Sequence, residues 1–327
     1  MRKIRWGVMG CGRISDWFSQ GLTVAEGAEL YACASRDADK AADFAGRHGF
    51  RKSYGSYEEL AADSAVDIVY IGTPIRYHAE CMELCLRAGR HVLCEKAFTV
   101  NAEEARRVIR LSREKGLFLM EAMWTKCLPV FREIMAWAEE GRFGDIRALE
   151  SVFYNRCAAG HRLFDESIAG GALLDLGVYP ITCATALMGF DITGIETKAI
   201  LSPQNTDVYG TIRLDYSSGA FAQLGCGLTA SRRQILYVSG TKGSLLLDNE
   251  PFHAPQRAAL LDENLQETAV SSHPFRKNGY EYEAEEAMQC LRRGATESRL
   301  VPLDQTLRIM EIMDTCRRKW GFRYSFE

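Results

Sequence analysis

The 327-residue chain carries 40 Lys and Arg against 43 Asp and Glu, a formal net charge of -3. That balance gives no electrostatic ground for a nucleic-acid partner or an anionic membrane. With 47% hydrophobic and 25% charged residues, the chain has an ordinary globular composition; it is long enough for two domains, and no run approaches the roughly 20 apolar residues of a membrane span.

The opening MRKIRWGVMGCG has basic residues but no apolar segment before its glycines. A first strand is expected there rather than a secretion signal. The 11 cysteines are scattered without a repeat, so free thiols in a reducing cytoplasm are expected rather than a disulfide scaffold. Cys81 and Cys85 are spaced to share a helix face, but no neighbouring pair completes a zinc site, and no metal is expected.

In chain order the first third alternates strand and helix. Apolar runs predict strands over Ile4–Gly10, Leu30–Ser35, Asp67–Gly72, His91–Cys94 and Leu117–Met120. Helical spacing predicts helices over Ile14–Leu22, Ala38–His48, Tyr57–Ala62, Tyr77–Ala88 and Ala102–Lys115, the last two stopped by Gly89 and Gly116. Near-continuously apolar strands separated by helices imply a parallel, doubly wound sheet covered on both faces. After about residue 122 the pattern changes. One helix, Pro129–Glu140, precedes strands over Ile146–Asn155, Ile195–Leu201, Gly210–Tyr216, Phe221–Cys226, Gln234–Ser239 and Ser244–Asp248. Short turns such as Tyr216–Gly219 and Gly240–Gly243 argue for antiparallel pairing. Helices are expected over Leu173–Met188, Tyr280–Arg293 and Leu303–Lys319. The expected fold is therefore α/β. A doubly wound parallel domain, residues 1–122, precedes an α+β domain, residues 123–327, with a large, mainly antiparallel open sheet.

Gly10-Cys11-Gly12-Arg13-Ile14-Ser15 lies between the first strand and the first helix. This is G-x-G-x-x-S, one residue from the dinucleotide fingerprint. The chemistry needs a tight turn at Gly10 and a bare backbone at Gly12, so that a pyrophosphate can meet the helix N-terminus. In that context the first domain reads as a Rossmann domain for NADP or NAD. The second strand ends at Ser35-Arg36-Asp37. Ser35 and Arg36 suit the 2′-phosphate of NADP, whereas Asp37 would suit the ribose hydroxyls of NAD; NADP is favoured. Thr73-Pro74 and Glu95-Lys96 follow two further strands, at the sheet edge where such folds bind ligands. Lys96 stands where a nicotinamide and a substrate would meet, although a solvated strand-end lysine is the plain alternative.

These residues place the chain in company. GVMGCGRIS, GTPIRYH (72–78), CEKAFTVN (94–101), FLMEAMW (118–124), GGALLDLGVYP (170–180) and SGTKGSLLL (239–247) occur in the order of the Gfo/Idh/MocA oxidoreductase family, which the chain resembles over essentially its whole length. LFLMEAMWT and GGALLDLGVY are most similar to its dimeric dihydrodiol dehydrogenase group, which also acts on D-xylose. The resemblance implies a role for Lys96 between cofactor and substrate, with Ala97 in place of the family's proline. It implies catalytic roles for Asp175 and Tyr179, and cofactor contacts for His78 and Arg162. It also implies a homodimer through the open sheet.

Asp175 and Tyr179 are spaced i, i+4, on one helix face, behind the glycine pair Gly170-Gly171. Alcohol oxidation must remove the hydroxyl proton as hydride leaves. A tyrosine, with an ordinary pKa of about 10, needs a nearby ammonium such as Lys96 to do so. Asp175 would hold a substrate hydroxyl or orient Lys96; whether Lys96 or Tyr179 is the proximal acid/base stays open. Trp124, Phe153 and Tyr280 are candidates for an aromatic wall suited to an aromatic diol or a sugar face. The expected reaction is hydride transfer between NADP and a secondary alcohol or carbonyl of a sugar or vicinal diol. The alternatives are an NAD-linked sugar, anhydrosugar or inositol dehydrogenase, a hydrolase using transient oxidation, and a nucleotide-sensing regulator.

Overall fold

The first apolar run becomes β1 (Ile4–Met9), and five more strands line up beside it: β2 (Ala28–Ala34), β3 (Lys52–Tyr54), β4 (Ile68–Ile71), β5 (His91–Glu95) and β6 (Leu119–Ala122). All pair in parallel, in the order β3-β2-β1-β4-β5-β6. The order reverses direction at β1, the switch point at which doubly wound sheets bind nucleotides. The computed structural model describes residues 2–247 and 251–327.

The helices between these strands are α1 (Arg13–Leu22), α2 (Ala38–His48), α3 (Tyr57–Ala62), α4 (His78–Arg87) and α5 (Ala102–Lys115). Their ends follow local chemistry. The side chains of Asp37, Ser56 and Asn101 accept backbone N–H groups of α2, α3 and α5, while Gly49 and Gly116 close α2 and α5 in the left-handed region. The strand β3 has no counterpart in the expectation, β2 begins two residues earlier than expected, and further details differ. A 3-10 turn at Ile75–Tyr77 delays α4 to His78, and the last strand lies two residues further on than its apolar run. The sheet core includes the fully buried Trp6, Phe18 and Tyr70, with the Phe18 and Tyr70 rings stacked at 3.7 Å.

The later strands form a separate eight-stranded sheet from β7 (Ile146–Tyr154), β8 (Ile192–Leu201), β9 (Asp207–Tyr216), β10 (Phe221–Gly227), β11 (Ile235–Gly240), β12 (Ser244–Leu247), β13 (Arg257–Leu261) and β14 (Glu267–Ser272). Its order is β14-β13-β12-β11-β7-β10-β9-β8, antiparallel except for the central β7–β10 pair. The predicted strand Ser244–Asp248 is found as β12; Asp248 lies outside the described residues. One face of this sheet packs against α7 (Val178–Met188) and the turn before it, and α6 (Pro129–Glu139) lies on β13 and β14. The other face presents the exposed side chains of Glu150, Thr211, Arg213 and Gln223. Where one continuous helix is predicted, Leu173–Gly177 forms a single wide π turn and α7 continues from it; such turns recur at functional sites.

The chain divides into two compact units, Met1–Cys127 with Phe275–Leu307, and Leu128–Pro274 with Arg308–Glu327. Helix α8 (Tyr280–Arg292) therefore belongs with the first unit, where it packs on α1, and α9 (Leu303–Lys319) runs from one unit into the other.

Candidate active site

In the first unit the predicted cofactor residues gather at the C-terminal edge of the parallel sheet. Gly10 has φ +92°, and a Cβ there would stand 3.1 Å from Thr73 Cγ2 and 3.2 Å from the Gly72 carbonyl, so only glycine fits between two strand ends. Gly12 precedes α1 with no capping side chain, and a Cβ at Gly12 would meet nothing within 4 Å. The backbone of Cys11, Gly12, Arg13 and Ile14 is thus open to an approaching anion at a helix N-terminus, and the residues present fit a dinucleotide pyrophosphate. Ser15, in the place of the fingerprint's third glycine, is fully buried and donates to the Gly10 carbonyl. Gly72 makes room for it, since a Cβ there would fall 2.3 Å from Ser15 Oγ.

β2 ends at Ala34, so Ser35 and Arg36 are the first residues beyond the sheet. Ser35 is buried, and its hydroxyl accepts the Asp37 N–H at 3.2 Å. Asp37 in turn accepts the Lys40 N–H at 3.1 Å as the cap of α2. The exposed Arg36 lays its guanidinium 5.3 Å above the Tyr77 ring, and Arg76 lies 5.9 Å from the same ring. The acid at this strand end is engaged in capping, and the cations stand beside it.

Lys96 follows β5, joined to Ala97 by a cis peptide bond. The loop is held on several sides. His78, buried at the start of α4, has Nε2 2.8 Å from the Thr73 carbonyl and Nδ1 3.0 Å from the Ala97 carbonyl. It thereby bridges two of the predicted cofactor loops. Burial lowers the pKa of this histidine against the opposing pull of those carbonyls. Glu95 accepts the Tyr70 hydroxyl at 2.5 Å and the Lys96 N–H at 3.3 Å. Glu121 of β6, beside Cys94 in the sheet, accepts the Thr306 hydroxyl at 2.9 Å. Burial pushes its carboxyl up to about 7, opposed by Thr306, Lys126, the Phe98 N–H and Lys96. Glu121 was not singled out from the sequence; its charged residue in the apolar run FLMEAMW was the available signal. Trp124 and Tyr280 stack at 4.5 Å, with Phe275 6.3 Å from Trp124, an aromatic cluster within this unit.

In the second unit Asp175 lies in the π turn and Tyr179 in the first turn of α7. Arg162 Nη2 reaches Asp175 Oδ1 at 3.2 Å; its guanidinium is exposed, whereas the carboxylate is largely covered. The Tyr179 ring lies 5.7 Å from Phe153 and 5.0 Å from His253, and Phe153 and His253 stack at 4.5 Å. His253 Nδ1 is 3.1 Å from Gln234 Oε1, a contact that orients the imidazole. Neither His253 nor Gln234 was expected, because nothing in the sequence around either shows that the fold brings them to Tyr179. Among the described residues no cluster of His, Cys, Asp and Glu is arranged to hold a metal, and no helix is long and apolar enough to cross a membrane.

Residues 4–123 match the family described as "Oxidoreductase family, NAD-binding Rossmann fold", and residues 131–246 match the "GFO/IDH/MocA C-terminal domain". A parallel sheet with an open phosphate turn, followed by this second domain, defines a nicotinamide-dependent oxidoreductase. The chain belongs to the Gfo/Idh/MocA family. It is 34% identical over 332 residues to the trans-1,2-dihydrobenzene-1,2-diol dehydrogenase of Bos taurus, covering 98% of each chain. It is 34% identical over 329 residues to that of Homo sapiens, again covering 98% of each. Among solved structures, KijD10, a 3-ketoreductase from Actinomadura kijaniata bound to NADP and TDP-benzene, has a TM-score of 0.85 at 29% identity, covering 97% of this chain and 98% of that one. A levoglucosan dehydrogenase shares the fold, with a TM-score of 0.88 at 18% identity over 98% of this chain and 97% of that one.

Proposed function

We propose that this chain is an NADP-dependent oxidoreductase that moves a hydride between the nicotinamide and a secondary alcohol or carbonyl of a vicinal diol or sugar. The observation that carries the cofactor choice is the end of β2: Asp37 is used as a helix cap, while Ser35 and Arg36 stand first beyond the sheet. A hydroxyl and a guanidinium there suit a 2′-phosphate through charge-assisted hydrogen bonds. The diol or sugar substrate is supported by the dehydrogenases and the ketoreductase to which the chain is similar. The stack of Phe153 and His253 beside Tyr179 suits an aromatic diol or the apolar face of a sugar.

When bound, the nicotinamide supplies or accepts the hydride. The protein's own groups move the accompanying proton. In oxidation the substrate hydroxyl proton passes to Tyr179 or Lys96, and in reduction the same group returns it to the carbonyl oxygen. Asp175 accepts a hydrogen bond from a substrate hydroxyl, with its carboxylate oriented by Arg162. Gly10, Cys11, Gly12, Arg13 and Ile14 would cradle the pyrophosphate, and Thr73, Pro74, His78 and Glu95 would complete the cofactor's surroundings in the first unit. The bared face of the second sheet, with a hollow of about 640 Å³ lined by residues that include Glu150, Lys198 and Arg213, serves as the interface of a homodimer. A monomeric mass by light scattering at micromolar concentration would count against that assembly.

The test is turnover of NADP with an aldose and a trans-dihydrodiol, in the wild type and in Lys96→Ala. Turnover by the wild type, lost in a variant that still binds NADPH, bears the assignment out. Unchanged turnover in Lys96→Ala removes Lys96 from the chemistry. No turnover of any diol or sugar removes the substrate class.

A further inference from the structure

The segment carrying Asp175 and Tyr179 begins at a buried carboxylate to which no role has been assigned. Asp207 opens β9 with its side chain fully buried. Its Oδ2 accepts the Leu173 N–H at 2.6 Å, at the first residue of the π turn. Its Oδ1 has no hydrogen-bond partner and faces the chain at Gly171, where a Cβ would stand 2.2 Å away. Gly171 has φ +138°, so the second glycine of the GGALLDLG run is needed both for its backbone conformation and for clearance over this carboxylate. The Tyr324 hydroxyl donates to the Gly170 carbonyl at 2.7 Å and pins the preceding residue. The turn that positions Asp175 is thus seated on an acid from a different strand.

We propose that Asp207 is a positioning residue, whose carboxylate seats the Leu173–Gly177 turn and thereby holds Asp175 and Tyr179 in working register. The inference rests on the roles given above to Asp175 and Tyr179. The groups facing Asp207 decide its charge. They are the N–H groups of Ala172 and Leu173, the Arg317 guanidinium of α9, the Tyr324 phenol, and the Cys226 and Cys316 thiols of β10 and α9. Arg317 is itself shared with Asp314 and Glu327, at 3.0 and 2.7 Å. Burial outweighs the donors and pushes the Asp207 carboxyl up to about 7. Because this value lies above the ordinary carboxyl range, the seated turn holds the proton more tightly than an opened, solvated one, and the turn is firmest below neutrality. A rise in pH through about 7 ionises the buried carboxyl and loosens the seat.

Two substitutions and two readouts test this. Asp207→Asn keeps an oxygen that can accept the Leu173 N–H but cannot titrate; Asp207→Ala removes the acceptor. Hydrogen–deuterium exchange of the Ala172–Tyr179 peptide, corrected for intrinsic rates, is followed from pH 6 to 8 alongside kcat and KM. The wild type is expected to exchange more slowly below pH 7 and faster as the pH rises through it. Asp207→Asn is expected to flatten the exchange profile while retaining kcat at pH 8 within about threefold. Asp207→Ala is expected to lose about tenfold in kcat at pH 8, the worth of one charge-assisted hydrogen bond, with a smaller change in KM. If exchange of that peptide in the wild type does not depend on pH, or if Asp207→Asn keeps the wild-type profile, the proposal is overturned. The exchange readout does not require turnover. A failure of the catalytic assignment, seen as an active Tyr179→Phe variant, is therefore distinguishable from a failure of the seat.

Discussion

Glu283 of α8 is fully buried, and neither of its carboxyl oxygens has a hydrogen-bond partner. Burial, reinforced by the nearby Glu95, raises its pKa well above the ordinary 4.5. The folded protein therefore holds Glu283 as the neutral acid, while the unfolded chain ionises it from about pH 4.5 upward. The sign follows from proton binding. With the folded pKa raised, the full stability is present below 4.5 and is lost as pH rises toward the folded value. Each pH unit in that window withdraws about 1.4 kcal/mol. Glu283→Gln keeps the shape and removes the proton, so the two proteins should differ little near pH 4.5. The variant should be the more stable by about 1 kcal/mol at pH 5, and the difference should widen with each further rise in pH until the folded carboxyl ionises. Urea unfolding of both proteins at pH 5, 6 and 7 measures this, since the titrating groups other than Glu283 and its neighbour Glu95 cancel between them. A stability difference that stays constant across those pH values would show that Glu283 ionises normally in the folded state and would refute the reasoning.

Gly171→Ala places a Cβ against Asp207 at a backbone angle that L-residues rarely adopt. Thermal unfolding should report a loss of about 2–4 kcal/mol, and a wild-type melting temperature would contradict the packing described. Tyr179→Phe keeps the ring against Phe153 and His253 but removes the hydroxyl. Its melting temperature should stay near that of the wild type while kcat falls by roughly 10²–10⁴, the range for a lost acid/base group; retained kcat would leave the proton to Lys96.

Much of the first unit was legible because its boundaries are written in local chemistry. Asp37, Asn101, Gly49 and Gly116 mark helix ends through bonds to residues three or four away, and α2, α3 and α5 run where their spacing predicts. β3 was not legible: it is three residues long, largely exposed at the sheet edge, and without an apolar run. The hairpin β13–β14 was missed for a similar reason, since β14 is ETAVSS and mostly exposed. The phosphate turn could be read because its glycines act on their own backbone, whereas Asp207 could not. Its strand was expected to begin at Gly210, and its function comes from burial against a turn more than thirty residues earlier. His253 met Tyr179 in the same hidden way, from a turn ahead of β13 against a helix more than seventy residues earlier.

Use of NADP through Ser35 and Arg36 at the end of β2 is tested most directly by parallel fluorescence titrations of the nucleotide-stripped protein with NADPH and NADH, in wild type and Arg36→Ala. The expected result is tighter binding of NADPH by the wild type, with a loss of about tenfold or more in Arg36→Ala that NADH does not share. Equal or tighter binding of NADH would return the ribose to Asp37 and contradict the assignment of Ser35 and Arg36, and binding of neither nucleotide would contradict the site itself.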